Sequence, residues 1–167
     1  AARLSRRRVL QYAVAATVLV GVFAVLNVLR TPAVEAVRVA SIEKSIGSVF
    51  VLGEQSELHQ VTNEMALFSG QTIVTREDAG LALAWSNGGS LRIDANTRIK
   101  FTDDESVFLI SGRAYFDSLA EAMLTDGGDS PALTLLTEFG DVRHVGTQYM
   151  GEISSDALVV SVREGQV

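Results

Sequence analysis

Between Val9 and Leu29 the chain runs for 21 residues without a charge, rich in Val, Leu and Ala and interrupted among polar or small residues only by Gln11, Thr17, Gly21 and Asn27. At about 1.5 Å of rise per residue such a helix is roughly 32 Å long, close to the ~30 Å hydrocarbon core of a bilayer. A helix satisfies every backbone N–H and C=O internally, which lipid demands. A helix of a soluble core would instead show a polar face every third or fourth residue, and none is visible. Arg3, Arg6, Arg7 and Arg8 lie before the run, whereas Arg30, Pro32 and Glu35 follow it. The positive-inside rule then predicts a cytoplasmic N-terminus, with residues 31–167 on the far side of the membrane. The run exceeds the ~7 to 15 apolar residues of a cleaved signal peptide, although Val34-Glu35-Ala36 is compatible with a cleavage site, so a signal anchor fits better. Ser5-Arg6-Arg7-Arg8-Val9-Leu10 also matches the twin-arginine export pattern, with Val in the Phe position.

The net charge of −6 averages two unlike segments. Residues 1–30 carry five of the 14 basic residues and no acid, a net +5; residues 31–167 hold the other 9 against all 20 acidic residues, a net −11. An acidic exported part excludes nucleic acid as its main partner, because phosphate contacts need a basic face. With no cysteine, disulfide scaffolds, thiolate zinc sites and thiol nucleophiles are excluded as well. The chain starts at Ala1 without an initiator methionine and stops at Val167 directly after Glu164-Gly165-Gln166, which reads as a window cut from a longer protein. The expected organisation is a basic cytoplasmic flank over 1–8, a transmembrane helix over 9–29, a linker over 30–42 and a β domain over 43–167.

Past Pro32 the pattern changes to short alternating runs punctuated by Gly, Asn and Asp. Expected strands are Ser48 to Leu52, Gln71 to Thr75, Gly80 to Trp85, Ser90 to Ile93, Thr97 to Phe101, Ser106 to Ile110, Arg113 to Asp117, Ala132 to Thr137, Asp141 to Val145, Gln148 to Ile153 and Leu158 to Val162. Strands of about five residues recurring every 8 to 12 predict an all-β exported domain, either a β-solenoid-like array or a sandwich of short strands, preceded by the single transmembrane α-helix. Asn87-Gly88 signals a type I′ turn, since both residues tolerate positive φ. In Leu91-Arg92-Ile93-Asp94 and Arg98-Ile99-Lys100-Phe101 apolar and charged residues alternate, so one face is buried and Arg92, Asp94, Arg98 and Lys100 form a solvated face with cross-strand pairs. Asp117 to Met123 has a helix-compatible composition with Asp or Ser as N-cap, followed by a Gly/Asp/Ser loop over Thr125 to Pro131.

No catalytic constellation is legible, and the expectation is a protein that is not an enzyme, with no catalytic, cofactor-binding or metal-binding residues and no cofactor. His59 and His144 are few and lack metal-ligand spacing, and His144 alternates with its neighbours as a strand-face residue. Nucleophile-elbow, P-loop and dinucleotide motifs are missing. Asp103-Asp104-Glu105 and Asp126-Gly127-Gly128-Asp129 offer oxygen ligands but do not reproduce an EF-hand series, and read as solvated turns.

Five stretches in order carry a resemblance. Gly70-Gln71-Thr72-Ile73-Val74-Thr75, then Leu81-Ala82-Leu83 with Gly89-Ser90-Leu91-Arg92-Ile93-Asp94-Ala95-Asn96-Thr97, then Val107-Phe108-Leu109-Ile110-Ser111-Gly112-Arg113-Ala114-Tyr115-Phe116-Asp117, then Val145-Gly146-Thr147-Gln148-Tyr149, then Val160-Ser161-Val162-Arg163-Glu164-Gly165-Gln166-Val167 resemble the motifs of the FecR family. Gly112, Gly146 and Gly165 are expected at tight turns, and Phe101, Phe116 and Tyr149 in the core. Ser118 departs from the family's apolar residue, and the acidic Gly-rich stretch over 119–131 replaces a basic, His-containing turn. The resemblance implies a single-pass inner-membrane transducer with residues 31–167 in the periplasm. Its partners would be the periplasmic signalling domain of a TonB-dependent outer-membrane siderophore receptor and, through a cytoplasmic segment outside this window, an extracytoplasmic-function sigma factor. Regulated proteolysis near residues 20–40 is an expected transmission step, eased by Gly21 and Asn27. The alternative is a membrane-tethered FecR-domain module that holds a surface or polysaccharide and has no sigma partner.

Overall fold

Side chains on successive strand residues point to opposite faces, so a sheet with one buried face alternates buried and exposed positions. Gly80–Trp85 does so without interruption, with Leu81, Leu83 and Trp85 buried and Gly80, Ala82 and Ala84 half-buried. A computed structural model describes residues 36–53, 57–63, 65–117, 133–143 and 145–167. The expected flank 1–8, span 9–29, most of the excursion over 117–131, and His144 lie outside the described residues. Among the described residues there is no helix, and so none long and apolar enough to cross a membrane.

Thirteen strands form the fold: β1 Arg38–Ile46, β2 Val49–Leu52, β3 Leu58–Gln60, β4 Ala66–Phe68, β5 Thr72–Thr75, β6 Gly80–Trp85, β7 Ser90–Ile93, β8 Arg98–Phe101, β9 Ser106–Asp117, β10 Thr134–Thr137, β11 Gly140–Val142, β12 Val145–Ser154 and β13 Ala157–Gln166. They make one curled sheet whose two limbs share β9. The first limb runs β3-β2-β5-β8-β9-β10-β11 and the second β4-β1-β6-β7-β9-β12-β13. Every ladder is antiparallel except β10 beside β9. The chain is therefore all-β as expected, but a solenoid of parallel stacked coils does not describe it; the inner faces of two limbs close on one core, as in a sandwich. That core holds Val49, Ile73, Ile99, Phe101 and Leu109 from the first limb and Leu67, Leu83, Leu91, Phe116 and Tyr149 from the second. Trp85 of one limb meets Phe101 of the other edge-on, ring centroids 5.6 Å apart.

Three differences from the sequence reading have physical causes. First, β1 begins at Arg38, inside the expected linker 30–42. It is paired on both sides, by β4 and β6. Register shifts between Arg38 and Ala40 and between Ile42 and Lys44 scramble its alternation, which hid it. Second, Asn87 is not left-handed; Gly88 and Gly89 take the positive φ of 96° and 85°. The turn closes with the Gly88 N–H on the Trp85 carbonyl, which frees the Asn87 side chain to donate to the Asp104 carbonyl at 2.9 Å beside the Trp85 Nε1–H at 2.7 Å. Third, Ser106 to Ile110 and Arg113 to Asp117 are one strand. Its buried positions run 107 and 109, then 114 and 116. The phase slips by one at a bulge, where Arg98 faces Ser111 but Ile99 faces Leu109.

Gly112 thus marks no turn but the point where β9 leaves one limb for the other. Its φ is +86°, and a Cβ there would lie 2.6 Å from the Thr97 Cα and 2.8 Å from the Asn96 carbonyl oxygen. Around this crossing two buried threonines satisfy the backbone groups that the bulge releases. The Thr97 Oγ1 accepts the Arg113 N–H at 2.9 Å, and the Thr75 Oγ1 accepts the Thr97 N–H at 2.9 Å while donating to the Asp94 carbonyl at 2.6 Å. Gly146 and Gly165 likewise lie within β12 and β13 rather than at turns.

Candidate functional site

The charges expected to share one solvated face are divided between two. Arg92 and Asp94 extend from the second limb; Arg98 and Lys100 extend from the first. On the second limb β7, β9 and β12 lie side by side, with Arg92 opposite Tyr115 and Tyr115 opposite Met150. Because Ala114, Phe116 and Tyr149 are locked into the core, the residues alternating with them are held outward. Arg113 bridges two carboxylates, Asp94 at 3.3 Å and Glu152 at 3.2 Å. The Arg92 guanidinium sits 6.0 Å from the Tyr115 ring centroid. The Tyr115 hydroxyl donates to the Gln148 Oε1 at 3.1 Å, and the Gln148 Nε2 donates to Asp117 at 3.2 Å.

These groups border a shallow cleft of about 270 Å³ lined by Arg92, Ile93, Asp94, Arg113, Tyr115 and Met150. It offers donors, acceptors and an aromatic face, but its polar groups already engage one another. Chemically it suits hydrogen-bonded docking of a polar surface rather than bond making, since no nucleophile there touches a base. The ion pairs are half-exposed, so Arg113→Ala should lower stability by no more than about 1 kcal/mol per pair lost, read by urea denaturation with Trp85, the single tryptophan, as the fluorescent reporter.

The other sequence candidates are placed singly. His59 lies on β3, exposed, with its Nε2 3.7 Å from Glu57. Asp103 is spent on its own turn, accepting from the Ser106 hydroxyl at 2.8 Å and the Glu105 N–H at 2.9 Å. Among the described residues no three His, Asp or Glu groups gather as metal ligands. Asp126 to Asp129 lie outside them. Tyr149 is fully buried and stacks on Phe116 at 4.8 Å and 7°; burial pushes its phenol well above its ordinary pKa, so it stays neutral. Arg113, Gln148 and Glu152 were not singled out from the sequence as members of the outer face, although their spacing from Phe116 and Tyr149 encodes it.

A family model described as FecR protein matches residues 71–167. No curated protein sequence matches the chain. Among solved structures a cell surface anchoring domain aligns at 22% identity over 41% of this chain and 90% of that one, with a TM-score of 0.38.

Proposed function

The chain belongs to the FecR family, whose model matches it over 71–167, and from that premise we propose that it is a membrane-anchored regulator controlling an extracytoplasmic-function sigma factor in response to a periplasmic signal. The family match is the observation that carries this reading. The signal would come from the periplasmic domain of a TonB-dependent outer-membrane receptor, docking on the β domain whose outer faces are described above. The uncharged run Val9 to Leu29 supplies a single span of inner membrane, with residues 31–167 in the periplasm. No step of this role calls for a cofactor or a catalytic residue.

Regulated cleavage would need an accessible stretch of backbone. A protease needs several residues of unpaired, extended backbone, and β1 is hydrogen-bonded on both sides from near its start. Val37 is pinned as well, its carbonyl accepting the Ser69 N–H at 2.8 Å and its N–H donating to the Ser69 hydroxyl at 3.0 Å. The pairing of Val37 and β1 makes them poor substrates for regulated cleavage within 20–40 while the sheet is closed.

Comparing transcription genome-wide between cells with and without the intact gene tests the function. The reading expects a group of genes sharing one promoter class to change together, and the change to vanish when one extracytoplasmic-function sigma factor is also deleted. An unaltered transcriptome with an altered cell envelope would instead support a tethered surface module.

A further inference from the structure

The outer face of the first limb differs in kind from the cleft on the second. Cross-strand register places Leu58, Leu52, Thr72, Lys100, Phe108 and Leu136 in one continuous row across β3, β2, β5, β8, β9 and β10. The next row carries Phe50, Val74 and Arg98 in register. Leu58 is 42% exposed and Ile110, at the bulge, 38%; Leu52, Phe50, Val74, Phe108 and Leu136 are half-buried. Arg98 and Lys100 are exposed in the middle of this apolar field, and neither forms an ion pair among the described residues. On the second limb, by contrast, Arg113 is neutralised twice.

We propose that this face is a docking surface for an acidic, amphipathic segment of a partner protein, one presenting two carboxylates about 7 Å apart between apolar side chains. The spacing follows from Arg98 and Lys100 standing two residues apart on β8, at about 3.3 Å of rise per residue. Contiguous half-exposed apolar side chains on a sheet mark a recognition surface. Two unpaired cations set in that field determine the sign of what covers it. A second copy stacked face to face would oppose like charges. A bilayer of anionic lipid would repel the rest of a segment whose residues 31–167 carry −11. An acidic protein segment meets neither penalty. The inference deepens the reading of this domain as a receiver of a partner's signal, but binding is measurable without any transcriptional response.

The full-length chain, held in nanodiscs of neutral phosphatidylcholine, is titrated by fluorescence polarisation with a labelled peptide of alternating Leu and Glu and with its Leu/Lys counterpart. The acidic peptide should bind, more weakly as salt rises. R98E/K100E should lose about tenfold or more in affinity, on the scale of a lost charge-assisted contact, and should gain binding of the Lys peptide. Both positions are exposed, so unchanged Trp85 emission certifies the fold. Equal binding of the acidic peptide by native and reversed chains, or none by either, overturns the proposal. So does co-sedimentation with phosphatidylglycerol vesicles that R98E/K100E abolishes while peptide binding is unaffected, or dimerisation sensitive to the same change. A transcriptome unaltered by deletion beside positive peptide binding would remove the sigma-factor reading and leave the surface standing.

Discussion

Gly112→Ala should shift the urea midpoint of unfolding well below that of the native chain. Two independent penalties coincide at this position. A left-handed φ of +86° strains any side-chain-bearing residue, and the new methyl would press on the Thr97 Oγ1 and also on backbone, the Thr97 Cα and the Asn96 carbonyl, which cannot swing away. Strain of about 1 to 3 kcal/mol and a similar overpacking cost together reach roughly 2 to 6 kcal/mol, against a typical total stability of about 5 to 15 kcal/mol. Gly88 provides the control. Its φ is +96° but nothing lies within 4 Å of a Cβ built there, so Gly88→Ala incurs the conformational term alone. Urea denaturation followed by Trp85 emission separates the two, and comparable midpoints would show that crowding at the crossing is unimportant.

Phe116→Ala is expected to cost about 3 to 5 kcal/mol, the range for emptying a buried aromatic site. Phe116 is 1% exposed and lies in register between Leu91 and Tyr149. The β-sheet backbone on either side is held by its own ladders, so the cavity cannot readily collapse. Part of the loss belongs to the parallel stack with Tyr149; a double-mutant cycle with Tyr149→Leu should return a coupling of about 0.5 to 1.5 kcal/mol. A coupling near zero would mean the rings merely share the core.

Much of this fold was legible where alternation is unbroken. β5 to β8 fall within a residue of their expected limits because Ile73, Leu81, Leu83, Leu91, Ile93 and Ile99 recur every second position between turn residues. β1 was not legible, because two register irregularities shift its buried positions and Glu43 and Lys44 interrupt its apolar face. β9 was read as two strands because a glycine suggested a turn. The decisive sign was in the sequence nonetheless: Val107 and Leu109 occupy odd positions, Ala114 and Phe116 even ones, so the strand changes its buried face without ending. The outer faces were harder still. Alternation told that Arg92, Asp94, Arg98 and Lys100 point to solvent, but only the path of β9 decides that they lie on two different outer faces, one where Arg113 is paired with Asp94 and Glu152 and one where neither cation is paired among the described residues.

These features bear on how such a domain would pass a signal. If β9 welds both limbs into one unit, neither limb slides on the other and the two open together. Native-state hydrogen exchange tests this directly. Amides of Ile73 and Ile99 in the first limb and of Leu83 and Ile93 in the second should share one opening free energy, and Gly112→Ala should lower all four by the same amount. Two distinct opening energies, with Gly112→Ala affecting one limb and sparing the other, would contradict it.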